Sequence, residues 1–495
     1  MKKIFLNFLL LTTVVFYWVC VSAQSIPVKI VNHTNLPDDS IYVAITGQNI
    51  DASKFIWIDL ENGNQILMDT SYNTLIRPGD TISKFADCFY QLSEINDHTI
   101  TLERIIGCRI WISEKSHLWF HFFPNLPNTT QGYTQPNILD TLDPNHGIIY
   151  EYIECTSVSN GFFGNTTRVD AYQRPISLEL IKEGTDSQIL GDKATQSDVI
   201  NRFSELIEDH PEFAYCLDTL HGTILQFTKT QEFYNQGVGN NYYESYIDAI
   251  WEKYKTDSLK FDGGQDLGIF HGAVNVLDKF VFRCVSGPNK DSIGSIEAKP
   301  TTQEIIEGSG VLATGTITDM NVQKMICAAL TRGAIDTTTT AVQQWNDTSS
   351  YYKTSPVNHY AGFWHQPGIS FDRKAYGFAY DDVFQQSSSL YSNNPDTIKI
   401  HFGHYMGGVT SVSELKQRKS LKVYPSFTSN TCTVSGLDKG VLLNVIGLNG
   451  QVIETIKLNP NLDKVDLDLN YFSNGLYIIQ VISKNRIDIT KVIRR

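Results

Sequence analysis

The sequence predicts a mainly β protein with a mixed α/β section in its middle and a small β-sandwich at its C-terminal end. Three observations carry that expectation. Residues 26–123 alternate apolar and polar side chains in short runs between turn clusters, the pattern of an all-β sandwich or barrel. Between about residues 195 and 330 segments of helical apolar period appear, with strands such as Lys279–Val285 between them. After Glu414 the charge balance reverses: Lys and Arg outnumber Asp and Glu by 12 to 6 from Leu415 onward, against 28 to 47 before it.

Met1 to Ala23 reads as a signal peptide, with Lys2 and Lys3 ahead of an apolar run and Val21-Ser22-Ala23 as the small-residue cleavage site. Seven scattered cysteines would remain after cleavage, which is no disulfide scaffold, although one or two bridges are compatible with the count. Ile41 to Thr46, Phe55 to Leu60, Ile66 to Met68, Ile100 to Ser113 and Leu118 to Phe123 read as strands, and Pro124 to Gly147 as a loop. Thr195 to Tyr215 follows helical spacing, capped by Ser197 or Asp198, and Tyr242–Tyr254 and Val322–Leu330 are also helical. Strand character returns at Tyr376–Asp381 and Asp396–Phe402. Ser411 to Ser420 is a polar, basic linker. Beyond it, Asn449-Gly450 between apolar runs is a strong hairpin signal, and Tyr477–Ile482 with Ile487–Ile493 forms a second pair.

The stretch Tyr150 to Leu180, YEYIECTSVSNGFFGNTTRVDAYQRPISLEL, carries the chemistry. Along its first strand Tyr150, Tyr152, Glu154 and Thr156 share one face, because side chains alternate sides. That face is aromatic and polar, a cleft wall rather than a core. Arg168, Asp170 and Tyr172 are expected to share a face of a second strand, with Asn160-Gly161 and Gly164-Asn165 supplying turns. Such a hairpin sets Glu154 and Asp170 across one groove. Two carboxylates in that arrangement serve glycosidic hydrolysis, one donating a proton to the leaving oxygen and the other activating water. Two solvent-exposed strand carboxylates remain the plainer alternative.

Asn358-His359-Tyr360-Ala361, Phe363-Trp364-His365 and Tyr376 to Val383 are dense in aromatic and hydrogen-bonding groups. They read equally as sugar-contacting surface or as a folded loop between strands. The excess of Asp and Glu over Lys and Arg, 53 to 40, argues against a nucleic-acid partner and suits a neutral substrate. No Walker loop, dinucleotide fingerprint or zinc-protease helix is present, and His359, His365, His401 and His404 lack the spacing of a metal set. No cofactor and no metal are expected.

Residues 26–406 resemble glycoside hydrolase family 64, the laminaripentaose-producing β-1,3-glucanases related to thaumatin-like proteins. The resemblance rests on IPVKIVNHT with IYVAITGQNI, GCRIWIS, IIYEYIECT, GNTTRVDAYQRPISL, NHYAGFWHQ and KAYGFAYDDVFQQ, in that order. It implies a thaumatin-like β-sandwich or barrel domain and a mixed α/β domain flanking a wide groove. It further implies an endo-acting, inverting hydrolase of β-1,3-glucan, with short laminari-oligosaccharides, pentaose above all, as products. By the same resemblance Glu154 is the general acid and Asp170 the general base. Thr156 and Phe163 match substrate contacts, and Tyr152, Asn358, His359, Tyr360 and Asp381 are further expected contacts. Tyr150 and Glu151 replace a Trp-Asp pair of the family, Cys155 an aromatic residue and Ala171 a Phe. A non-catalytic, thaumatin-like glucan-binding or adhesion protein is the alternative.

The tail, from LKVYPSFTSN to ITKVIRR, resembles the type A sorting domain of type IX secretion. That implies the secretion machinery as a partner and a secreted or cell-surface destination. The expected organisation is a signal peptide at 1–23, a β domain with both carboxylates at 24–190, and a mixed domain at 191–408 whose late strands return to the β domain. A linker at 409–420 and a sorting domain at 421–495 follow, in a monomer.

Overall fold

The computed structural model describes residues 25–405 and 421–495, apart from 51–53, 83, 127–130, 186, 238, 429, 438–439, 448–451, 460–461 and 484–485. The expected signal peptide and linker lie outside the described residues. The chain forms two compact units divided between Tyr405 and Met406.

Two sheets build the first half of the larger unit. One has the strand order Gln188–Gly191, Ile176–Ile181, Thr397–Phe402, Ile26–Asn32, Thr99–Leu102. The other runs Ser389–Ser392, Gly161–Thr166, Tyr150–Val158, Ile105–Glu114, Ile41–Gln48, Phe55–Ile58, Gln65–Leu67. Neither closes into a barrel. Alternate apolar residues from both sheets, among them Val28, Ile45, Ile110, Ile153, Leu178 and Ile400, meet in one buried core, so the architecture is a sandwich. The late strand Thr397–Phe402 pairs in parallel with Ile26–Asn32 and antiparallel with Ile176–Ile181. At its end the His33 amide donates to the Phe402 carbonyl at 2.7 Å. His33 Nε2 meets His401 Nδ1 at 2.9 Å, and His401 Nε2 meets a Glu179 oxygen at 3.1 Å.

A second core, built from residues 172–383, packs helices against the four-stranded sheet Leu259–Asp262, Ile269–Val274, Phe280–Ser286, Ile293–Ile296. Helix Gln196–Asp209 is capped by Thr195, whose hydroxyl accepts from the Asp198 amide, rather than by Ser197 or Asp198. Helix Ile317–Arg332 starts in a capping box of Thr316 and Asp319 and stops at Gly333, whose φ of 66° is left-handed. Two expected strands are absent. Leu118, Phe120 and Phe122 are buried in alternation as a strand would bury them, but the segment forms no strand: it bridges from Phe122 to Tyr133 and accepts from the Ala86 amide at Phe120. Tyr376–Asp381 is irregular backbone running into a turn, with the Gly377 amide donating to the Asp381 carboxylate at 2.8 Å.

The smaller unit is a two-sheet sandwich. Lys422–Tyr424, Thr431–Ser435 and Lys464–Asp468 form one sheet. Phe427–Thr428, Arg486–Arg494, Gly475–Ser483, Gly440–Gly447 and Val452–Lys457 form the other. The expected hairpins pair as Gly440–Gly447 with Val452–Lys457 and Gly475–Ser483 with Arg486–Arg494. The Asn449-Gly450 turn lies outside the described residues. The seven cysteines among the described residues are free and buried.

Candidate active site

Strand Tyr150–Val158 alternates half-buried and buried residues along its whole length, with Tyr150, Tyr152, Glu154 and Thr156 on the open side. Its reverse side places Ile153 and Cys155 in the sandwich core. Cys155 therefore points away from the Glu154 carboxylate, and it sits opposite Cys108 in the neighbouring strand. The Cys155 thiol, and after it burial, pushes Cys108 well above the usual thiol range.

The partners of Glu154 follow from strand register. Arg109 lies directly opposite it on one neighbour and Asn165 on the other. Arg109 donates to Glu154 Oε1 from Nε at 3.2 Å and from Nη2 at 2.9 Å, and Asn165 donates to Oε2 at 3.2 Å. Arg109 also donates to the Gln135 side chain and lies over the Tyr152 ring at 4.8 Å. Burial works against the Arg109 charge, but Tyr152 and Glu154 hold the guanidinium above the ordinary arginine value.

Asp170 does not lie on the second strand. That strand ends at Thr166 after a tight turn at Ser159-Asn160, and Gly164-Asn165 lies within it. Asp170 projects from the loop that follows, and the expected common face with Arg168 and Tyr172 is absent because both neighbours are buried. Their burial anchors the loop. Arg168 donates to Glu151 at 2.7 Å and pairs with Asp192. Glu151 accepts in addition from the Gln173 and Arg174 amides at 2.7 and 2.8 Å. Burial lifts the Glu151 carboxyl above its usual range, with Arg168 opposing it. The Arg168 carbonyl accepts from the Tyr360 hydroxyl at 2.7 Å, and the Asp170 carbonyl accepts from the Gln226 amide at 2.8 Å. The Asp170 side chain is left half exposed, 3.7 Å from Lys229 Nζ, which also approaches Glu307 at 3.3 Å.

Two depressions adjoin at Arg109 and Gln135, which line both. Tyr152, Asp170 and Lys229 line the smaller. Glu154, Thr156 and Phe163 line the larger, of about 530 Å³. Phe163 faces Thr156 across the strands, and its exposed ring packs on exposed Tyr391 at 4.6 Å. The fold thus gathers Glu154, Asp170, Tyr152, Thr156 and Phe163 around one surface.

The remaining expected contacts are elsewhere. Asn358, Tyr360 and Asp381 are fully buried and cannot touch a polysaccharide. Asn358 caps helix His359–Trp364 and Tyr360 holds the Arg168 carbonyl. Asp381 is ion-paired with Arg332 and His365, each at 2.9 Å. Burial opposes the Asp381 charge, but His365 and Arg332 hold the carboxyl below its usual range. His359 lines a different concavity. Sequence reasoning missed Arg109, Asn165, Gln135, Lys229 and Tyr391. Register could have supplied Arg109 and Asn165, once Glu154 was set in a paired strand. Lys229, on the short helical turn Phe227–Lys229, carries no local signal.

The family model described as Beta-1,3-glucanase, glycoside hydrolase family 64, matches residues 24–402, and that of a secretion system C-terminal sorting domain matches residues 422–495. A β-1,3-glucanase domain of family 64 from Clostridium beijerinckii superposes with a TM-score of 0.68 at 30% identity, covering 77% of this chain and 98% of that one. A laminaripentaose-producing β-1,3-glucanase of the same family from Paenibacillus barengoltzii gives 0.57 at 25% identity, covering 77% and 76%. A glucan endo-1,3-beta-glucosidase from Cellulosimicrobium cellulans is 25% identical over 285 residues, which are 56% of this chain and 49% of that protein. The chain spans about half the length of the curated relatives it matches.

Proposed function

The chain belongs to the β-1,3-glucanases of glycoside hydrolase family 64, and we propose that it is an exported, endo-acting hydrolase of β-1,3-glucan that inverts the anomeric centre. The observation that carries this reading is the pair of half-exposed carboxylates, Glu154 and Asp170, on adjoining depressions beneath aromatic side chains. Asp170 takes a proton from the attacking water while that water's oxygen bonds to the anomeric carbon. Glu154, as the general acid, gives a proton to the departing glycosidic oxygen. Arg109 and Asn165 fix the direction of the Glu154 carboxyl. Lys229 Nζ stands 3.7 Å from the Asp170 carboxylate, and, burial notwithstanding, Asp170 and Glu307 maintain the Lys229 charge. Tyr152 and the Phe163–Tyr391 pair offer flat faces to sugar rings.

The name of the Paenibacillus relative supports laminaripentaose as the main product. The sorting tail supports passage through type IX export, with release or attachment at the cell surface. Digestion of laminarin, followed by early-time NMR and chromatography, is expected to give α-anomeric oligosaccharides dominated by the pentamer. β-Anomers would overturn the inverting pair, and glucan binding with no products would favour the non-catalytic, adhesive alternative.

A further inference from the structure

Away from the two carboxylates, the end of helix Gln196–Asp209 faces the start of helix His359–Trp364. His210 closes the first helix, and its ring stacks on that of His359 with centroids 3.4 Å apart and planes 19° apart. Glu212 brings Oε1 to 3.8 Å from His210 Nδ1. One donor atom from each of His210, Glu212 and His359 lies within 4.8 Å of the other two. All three residues are partly buried, and His210 and His359 line a concavity of about 650 Å³ that the hydrolytic reading does not use.

We propose that His210, Glu212 and His359 bind one divalent transition-metal ion of the zinc class. Two imidazoles and a carboxylate are a donor set that zinc accepts at about 2.0–2.2 Å. Calcium and magnesium prefer all-oxygen surroundings. Stacking of the two rings, with the Ser355 hydroxyl 3.0 Å from His359 Nε2, accounts for the histidines. It leaves unexplained why a carboxylate is turned towards the same pair. Coordination requires the stacked rings to splay, since both lone pairs must converge on the ion. The His210 backbone, at φ −130° and ψ 68°, is held by the Leu206 carbonyl and the Phe213 amide, so the splaying is a rotation of its side chain. Asp209, on the wall of the same concavity, or water completes the set.

The ion's role is to hold structure together. It would tie residue 210 to residue 359 across a long loop, and binding confined to the folded chain stabilises it. Its neighbour in the chain is Tyr360, which holds the carbonyl of Arg168 two residues before Asp170. The inference does not depend on the hydrolytic reading.

The test uses the full-length, untagged protein after treatment with a chelator and dialysis. Calorimetric titration with Zn²⁺ is expected to show one saturable site, and Co²⁺ to give visible absorption bands of nitrogen ligation. Saturating Zn²⁺ should raise Tm by a few degrees. H210A should weaken binding by more than about 100-fold and abolish the Tm shift, since losing a direct ligand exceeds the loss from an outer partner. E212Q, which keeps size and backbone, should weaken binding by at least about 10-fold. Circular dichroism checks that both variants are folded. No saturable binding to the wild type, or unchanged affinity in either folded variant, overturns the proposal. So does binding that survives H210A but is lost on replacing His33, which would move the ion to the His33–His401 pair.

Discussion

The two carboxylates assigned to the chemistry are restrained in different ways. Glu154 is gripped through its side chain, with hydrogen bonds to both oxygens from neighbours in register. Asp170 is positioned through its backbone, and its side chain has one cation nearby at 3.7 Å. Such an exposed pair is weak in water, so Asp170 keeps the freedom to meet a water molecule. We predict that E154Q and D170N each lower turnover of laminarin by at least about 100-fold while retaining binding to insoluble curdlan. Reducing-end release and a pull-down measure the two properties separately, and near-wild-type turnover in either variant removes that residue from the assignment. Glu154 and its face were legible because a strand's alternation survives in any fold that uses the strand. Asn358, Tyr360 and Asp381 were misread because aromatic and hydrogen-bonding residues are equally needed to satisfy a buried polar knot. Burial of that knot depends on Arg332 and His365, which local sequence does not connect to it.

At the scale of elements, the strand that carries Glu154 pairs in unbroken register with its partner Gly161–Thr166. Gly164 of that partner faces the sandwich core, where a Cβ would come within 2.6 Å of the Phe162 ring and 3.0 Å of Leu178. We predict that G164A destabilises the larger unit by about 1–3 kcal/mol through overpacking. Urea unfolding followed by tryptophan fluorescence reads this, and an unchanged midpoint would contradict it. The sequence marked Gly164-Asn165 as turn chemistry, whereas the strand needs glycine for want of room. Helices were legible from their period, and their caps less so, since Thr195, Ser197 and Asp198 are all competent caps and only geometry selects Thr195. The loop carrying Asp170 could not be placed from sequence, because its path is set by the buried Arg168 and its two distant acidic partners.

At the scale of the molecule, acid should loosen the seam between the first and last strands of the larger unit. Burial, then His401 and His404, lowers the His33 pKa from 6.5 to about 4. Between those values the unfolded chain binds a proton that the folded chain refuses, so stability is full above about pH 6.5 and falls as pH drops towards 4. With partial exposure discounted, the loss is on the order of 1 kcal/mol. Thermal unfolding between pH 7 and 4.5 should show a slope that H33Q flattens, and equal slopes would refute the linkage. The sandwich, the mixed section and the basic tail were all legible as composition and period. Whether the first sheet system closes into a barrel was not, because alternation specifies two faces and says nothing about joined edges. The seam itself has a temporal side. Val28 pairs with Ile398, about 370 residues later, and that late strand fills the centre of its sheet rather than an edge. Contacts so distant along the chain form late. The nascent polypeptide therefore cannot complete this sheet until nearly the whole larger unit has left the ribosome, which prolongs the interval in which a transport apparatus meets it as a pliable thread.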